Sequence, residues 1–350
     1  MTIQQAKNYG KKNLLASPTS ALDTEVLLQF ITGLDKTHLL LERDSVLSEE
    51  QESRFLAAIE KRKTGFPVAY ITGHKEFFGY DFYVTPDVLI PKPDTELLVE
   101  LALDALEDKF RANPNTIPTV CDMCTGSGCV GLSIAKKITT NGTDYTDNCE
   151  RKRSRDEHRL SLTLVDISGK VLEVAKKNAS RLFSKESASH GGGEKTINCK
   201  NLTTVKRSAN SCHDMDAANF QFSAFSFHFV QSNLFENIPH TFDLIVANPP
   251  YVPHTESLEL LKDGRSEPLL ALDGDVTENG EYAHTEDGLS LIRRLVPQCY
   301  EHLNRNGVLI METGEYNAEE TAELFKSAGF RTVRIEYDMN EMMRDVVGVK

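Results

Sequence analysis

Thr119-Val120-Cys121-Asp122-Met123-Cys124-Thr125-Gly126-Ser127-Gly128 decides the fold expectation. A short apolar and β-branched run stops at a glycine-rich turn, and an apolar stretch of helical character follows through Ile134. Strand, glycine-rich turn and helix in that order form the nucleotide-binding start of a doubly wound α/β sheet. Gly126, Gly128 and Gly131 also spell G-x-G-x-x-G, which brings a nicotinamide dehydrogenase into consideration. That pattern alone does not choose between nucleotide cofactors.

Downstream, Leu162-Thr163-Leu164-Val165-Asp166 reads as a second strand ending in an acid. A carboxylate at that place can accept both hydroxyls of a ribose. It stands further from the turn than the ~20 residues expected of a dinucleotide enzyme. A helix over Ser168–Leu182 follows, and Phe227–Phe235 is a short strand with a polar exit, Asn233-Leu234. Phe242-Asp243-Leu244-Ile245-Val246-Ala247 is a buried strand that stops at Asn248-Pro249-Pro250-Tyr251. Two successive prolines cannot donate to a ladder and keep the chain extended, so Asn248 is presented rigidly at a strand's carboxyl end. Open parallel sheets place their chemistry there. The Asn oxygen, with neighbouring carbonyls, can grip an NH2 group through both hydrogens, and Tyr251 offers a flat face to a planar group. A bland alternative is a strand followed by a Pro-Pro turn with Asn248 capping the bend. A helix from about Asp287, strands near Val308–Met311 and Val333–Tyr337 with a helix between them, and a last strand at Val346–Val349 complete a seven-stranded sheet.

Upstream, residues 1–65 read as helices. Leu27, Phe30 and Ile31 give one an apolar face that Gly33 ends, and Ser48 with Gln51 forms a capping box for another. Glu76–Val84 is aromatic-rich around Gly79, which predicts a β-hairpin. Pro91 and Pro93 straddle Lys92 and stiffen a loop that can wall a pocket, and Asp94 or Thr95 caps a helix running to about Phe110. The expected organisation is a helical recognition domain over 1–66, a hairpin linker over 67–87 and a catalytic domain over 88–350. Polar stretches at about 139–160 and 184–225 interrupt the last. The mixed-charge run Glu150–Glu157 in the first reads as a solvated loop rather than a nucleic-acid contact. The Ser-, Gly- and Asn-rich second reads as a loosely ordered surface loop.

The totals exclude several classes. A net charge of −13 disfavours broad contact with a phosphate backbone, and no run approaches the ~20 apolar residues of a membrane span. Seven cysteines, an odd number without a secretory signal, indicate a reducing compartment. Cys121-x-x-Cys124 has no second pair or His at ligand spacing, and Cys212-His213 lies in a polar stretch, so no metal is expected. The first 22 residues carry Lys7, Lys11 and Lys12 but no Arg, which favours the cytoplasm over a mitochondrial matrix presequence.

In this order the features resemble the S-adenosylmethionine-dependent amino methyltransferases. The helical amino-terminal region, Ile90-Pro91-Lys92-Pro93-Asp94-Thr95-Glu96 and Glu267-Pro268-Leu269 narrow the resemblance to the HemK/PrmC family of peptide chain release factor glutamine N5-methyltransferases. It spans nearly the whole chain and fails only in the two polar insertions. It implies methyl transfer from S-adenosylmethionine to the side-chain amide of the Gly-Gly-Gln glutamine in class 1 release factors, by a monomer without stable nucleic-acid binding. It further implies that Asp122 and Cys124, Thr125, Gly126, Ser127 and Gly128 cradle the cofactor's methionine part. Asp166 would hold its ribose, with Asn233 and Leu234 beside the adenine. Asn248, Pro249, Pro250 and Tyr251 would hold the glutamine, with Asn248, Pro249 and Tyr251 catalytic and Asn248 also contacting the cofactor. Cys124 stands where the family often has Gly, Asn233 replaces a usual acid, Leu234 a usual aromatic and Lys92 a usual Arg. A sibling methylating a ribosomal-protein glutamine and a DNA or RNA amino methyltransferase share the Asn-Pro-Pro-Tyr element. A dehydrogenase would leave that element idle, and a non-catalytic assembly factor would have no need of Asn248 and Tyr251.

Overall fold

The computed structural model describes residues 1–140, 159–184, 218–222, 225–277, 279 and 281–350. Most of both polar insertions, with the Glu150–Glu157 run, Gly191–Gly193 and Cys212-His213, lies outside these residues.

Five helices open the chain: α1 (Ile3–Asn13), α2 (Ser20–Thr32), α3 (Lys36–Leu41), α4 (Glu49–Lys63) and α5 (Val68–Thr72). Leu27, Leu28, Ile31, Leu39, Phe55 and Ile59 form their shared core. Each such side chain contributes about 1.5–3 kcal/mol by leaving water. Phe30, expected on the same face, is 41% exposed, because the buried stripe runs through Leu28 instead. Gly33 ends α2 at φ 72°, where the missing Cβ removes the usual cost. The Ser48 and Gln51 side chains accept from each other's backbone N–H at 3.1 and 3.0 Å, which closes the predicted capping box.

The hairpin is β1 (His74–Phe77) and β2 (Tyr80–Tyr83). Its turn residues Phe78 and Gly79 both have positive φ, 53° and 77°, as a twist-matched two-residue turn requires. The Glu96 carboxylate accepts from Phe78 N at 2.9 Å. At the other end, the Asn178 amide bonds both backbone groups of Tyr83 and donates to Ser127 O at 2.9 Å. The hairpin is thereby pinned between Glu96 and the glycine-rich turn.

The remainder is an α/β sheet flanked by helices. Its strands are β3 (Thr119–Met123), β4 (Leu160–Asp166), β5 (Ala218–Phe222), β6 (Phe225–Gln231), β7 (Phe242–Ala247), β8 (Leu303–Glu312), β9 (Thr332–Tyr337) and β10 (Met343–Val349). They lie in the order β5-β6-β4-β3-β7-β8-β10-β9. The five strands from β6 to β8 in that order are parallel, while β10 runs antiparallel between β8 and β9. The seven expected strands are all present, from β6 to β9 in that order, and β5 adds an eighth at the edge. β5 arises inside the stretch expected to be a loose loop and pairs antiparallel with β6, from Ala218↔Phe229 to Phe222↔Phe225. Helices α6 (Glu96–Ala112), α7 (Cys129–Thr140) and α8 (Gly169–Phe183) bury one face with Leu98, Leu106, Leu132, Leu164 and Phe227. A short α9 (His254–Leu260) follows β7, and α10 (Ser290–His302) and α11 (Ala318–Ala328) cover the other face with Met123, Ile245, Leu295, Met311 and Phe325. Chain order reverses direction across β3 and β7, so the glycine-rich turn and Asn248 emerge side by side at the switch point. Among the described residues, no helix is long and apolar enough to cross a membrane.

Candidate active site

The turn after β3 is built on Asp122. This side chain is 2% exposed, and its Oδ2 accepts from Thr125 Oγ1 at 2.6 Å and from Gly131 N at 3.0 Å. One carboxylate thus ties the strand, the turn and the first turn of α7 together. Burial pushes its pKa up to about 6, against the opposing hydrogen bonds. Gly131 is glycine because a Cβ there would stand 2.8 Å from that same oxygen. The third glycine of the G-x-G-x-x-G pattern therefore serves helix-to-strand packing. Cys124, Gly126 and Gly128 all adopt positive φ, 60°, 56° and 79°. For Cys124 this left-handed backbone carries a cost that glycine would not pay.

Asp166 faces the turn from β4. Its Oδ2 accepts from Gly126 N at 3.1 Å and its Oδ1 from Ser168 N at 3.0 Å. Each oxygen retains a second lone pair for a ligand hydroxyl. Burial raises the Asp166 pKa, and the N–H bonds oppose that shift. Asn233 Nδ2 donates to Glu236 Oε1 at 3.0 Å, and the buried Leu234 turns back at φ 51°.

These groups surround a cavity of about 340 Å³. Asp122, Cys124, Thr125, Gly126, Ser127, Asp166, Asn233, Leu234, Asn248 and Pro250 line it; Gly128, Pro249 and Tyr251 do not. Gly128 packs instead against Leu132 and Ala175. The lining suits S-adenosylmethionine: acceptors on Asp166 for a ribose diol, apolar Val130, Ile167 and Leu234 for a flat base, and turn backbone for the amino-acid part. Lys92, expected to wall a pocket, lines it, and its Nζ donates to Glu267 Oε1 at 2.8 Å. Ile90 N reaches the same oxygen at 3.4 Å, so the Pro-Lys-Pro and Glu-Pro-Leu loops close one wall together.

Asn248 follows β7 and is held from behind. Its Nδ2 donates to Glu312 Oε2 at 3.0 Å and to Thr95 Oγ1 at 3.1 Å. Both amide hydrogens are thereby used, and Oδ1 is left as the atom that can serve a ligand. Tyr251, expected to offer its ring to a planar group, instead donates its hydroxyl to Glu312 Oε1 at 3.0 Å. Its carbonyl accepts from Asn317 Nδ2 at 3.1 Å and Tyr316 Oη at 3.2 Å. Neither Asp94 nor Thr95 caps α6 as expected: a single 3₁₀ turn over Pro93–Thr95 precedes it, and Thr95 makes no capping bond. The Thr95 hydroxyl turns to Asn248. Glu312, 2% exposed, is the site residue that sequence reasoning missed. A signal for it existed. It ends the apolar run Val308–Met311 as Asp166 ends Leu162–Val165, an acid at the carboxyl end of a parallel strand.

Residues 5–73 match the family model described as the PrmC N-terminal domain. Along its length the chain is 30% identical to the release factor glutamine methyltransferase of Koribacter versatilis, covering 100% of this chain and 99% of that protein. The proteins of the same name from Leptospira interrogans and Haemophilus influenzae are 30% and 28% identical, each covering 99% of this chain and 96% of their own. With the strand ends, the turn and Asn-Pro-Pro-Tyr in the places described, the chain belongs to the release factor glutamine methyltransferase family.

Proposed function

We infer that the protein methylates the side-chain amide nitrogen of the Gly-Gly-Gln glutamine in class 1 peptide chain release factors. The observation that carries the site's role is the Asn248 amide, whose hydrogens are bound by Glu312 and Thr95 so that its oxygen serves the substrate.

S-adenosylmethionine supplies a sulfonium methyl group that is already strongly electrophilic. The nucleophile is the difficulty, because the lone pair of an amide nitrogen is delocalised into its carbonyl. Asn248 Oδ1 and the Pro249 carbonyl accept the two hydrogens of the glutamine NH2. This aligns the nitrogen with methyl and sulfur at near-attack distance and favours a lone pair directed at the methyl carbon. The same two acceptors stabilise positive charge as it grows on nitrogen. As the nitrogen–carbon bond forms, the methyl carbon–sulfur bond would break to leave a neutral thioether, and the nitrogen would release one proton to water. Asp166 holds the ribose, and Lys92 with Glu267 keeps the wall closed over the site.

In this reading, residues 1–66 recognise the factor, 67–87 set the distance to the site and 88–350 catalyse. The core formed by α1 to α4 and the hairpin pinned by Glu96 and Asn178 support that division, with α5 between them. The net charge of −13 supports a protein substrate and a monomer without stable nucleic-acid contacts. Mass spectrometry of recombinant release factor incubated with the protein and S-adenosylmethionine tests it. One added methyl on the Gly-Gly-Gln glutamine is expected. Methyl on a ribosomal protein instead, with the factor unmodified, would overturn it.

A further inference from the structure

We propose that Glu312 is a positioning residue: its buried carboxylate fixes which way the Asn248 amide faces and strengthens the Asn248 oxygen as an acceptor. This rests on the reading of Asn248 given above and adds the group that makes Asn248 effective.

An Asn side chain can rotate by half a turn and exchange its oxygen and nitrogen. Here one orientation gives two donor bonds, to Glu312 Oε2 at 3.0 Å and Thr95 Oγ1 at 3.1 Å. The flipped orientation would set Asn248 Oδ1 against a carboxylate oxygen, acceptor against acceptor. A negatively charged Glu312 therefore selects a single state. A hydrogen bond donated by the amide to an anion also shifts electron density toward the amide oxygen, and the low-dielectric surroundings strengthen that polarisation.

Glu312 must carry the charge for this to hold, and the groups around its carboxylate favour that form. Asp345 lies directly opposite Glu312 in the β8–β10 register. Both carboxyls are buried, and two apposed carboxylates cannot both ionise cheaply. Glu312 receives hydrogen bonds from Asn248 and Tyr251, whereas neither oxygen of Asp345 has a hydrogen-bond partner. The donors therefore favour the charge on Glu312 and leave Asp345 as the carboxyl that carries a proton. Burial and the Glu312 charge both push the Asp345 carboxyl well above its usual range. Burial also raises Glu312, and Asp94 adds to that, but Thr95, Tyr251 and the Arg344 guanidinium favour its anion. Arg344 itself is held between Asp94 at 3.4 Å and Asp338 at 3.3 Å.

The test compares Glu312→Gln, Asn248→Ala and the double variant, with turnover at saturating factor and cofactor and the S-adenosylmethionine Kd by calorimetry. Glu312→Gln keeps the shape and removes the charge. Its kcat should fall about 10- to 100-fold, the scale for partners that orient a functional group, with Kd within about twofold of wild type. The double variant should be no slower than Asn248→Ala, because the two residues act as one unit. Wild-type turnover for Glu312→Gln beside a slow Asn248→Ala would overturn this inference alone. Multiplied losses in the double variant, or a Kd raised in step with lost kcat, would also overturn it. Wild-type turnover for Asn248→Ala would instead remove the reading on which it rests. If Glu312→Gln does not fold by circular dichroism, Glu312→Asp gives the same comparison, since it withdraws the charge by one methylene and should show the same loss and the same non-additivity.

Discussion

Gly131→Ala should unseat the cofactor turn from its base. The added methyl would stand 2.8 Å from Asp122 Oδ2, 3.0 Å from Asp122 Cβ and 3.2 Å from Leu162 Cδ1. All three atoms belong to β3 and β4 at the centre of the sheet, which cannot yield, so α7 and the turn must move. Overpacking of this kind costs about 1–3 kcal/mol. Losing the 3.0 Å bond from Gly131 N to Asp122 adds about 1 kcal/mol. Alanine returns about 1 kcal/mol through its better helix propensity. The net destabilisation is about 1–3 kcal/mol, read as a lower urea midpoint at unchanged slope. Moving the turn also loosens the 2.6 Å bond between Thr125 Oγ1 and Asp122, and Thr125 lines the cavity. The S-adenosylmethionine Kd should therefore rise about tenfold, equivalent to about 1.4 kcal/mol. An unchanged midpoint together with an unchanged Kd would refute the packing role assigned to this glycine.

Two further outcomes follow from the same turn. Cys124→Gly removes a side chain from backbone at φ 60°, which recovers about 1–2 kcal/mol of steric cost against about 0.5–1 kcal/mol of added chain entropy. The urea midpoint should rise slightly with cofactor affinity retained, and a lower midpoint would contradict it. Asp122 is protonated more readily in the folded chain, with its pKa raised from 3.8 to about 6 by burial. Between about pH 4 and pH 6 the folded state binds the extra proton, so the stability this group confers is greatest at the acidic end and declines as pH rises. The difference in unfolding free energy between wild type and Asp122→Asn should fall across that window, and a flat difference would exclude the shift.

The sequence made the sheet legible because its strands end abruptly. Thr119–Met123 stops at glycines, Leu162–Val165 at Asp166 and Phe242–Ala247 at Asn-Pro-Pro, and all three ends meet at one cavity. Local chemistry also showed through, as in the Ser48–Gln51 capping box and the Phe78-Gly79 turn, because each depends on residues a few positions apart. What stayed hidden depends on distant pairings. Glu312 lies 64 residues from Asn248 in sequence and becomes its neighbour only when β8 docks beside β7. The same docking turns the Tyr251 hydroxyl to Glu312 rather than its ring to the cavity. Thr95 looked like a cap because a Thr ahead of an apolar helix usually is one, yet the Pro93 turn carries it round to Asn248. β5 escaped notice because its polar flanks mask a strand that has one neighbour among the described residues.

The central claim is that Asn248 accelerates transfer by gripping the glutamine NH2, without holding the cofactor in place. The most direct measurement is the single-turnover rate of methyl transfer to release factor by Asn248→Ala, taken beside its S-adenosylmethionine Kd. The account predicts a rate lower by about 10²–10³, the scale for one lost preorganised contact, with Kd essentially unchanged. A wild-type rate would contradict it.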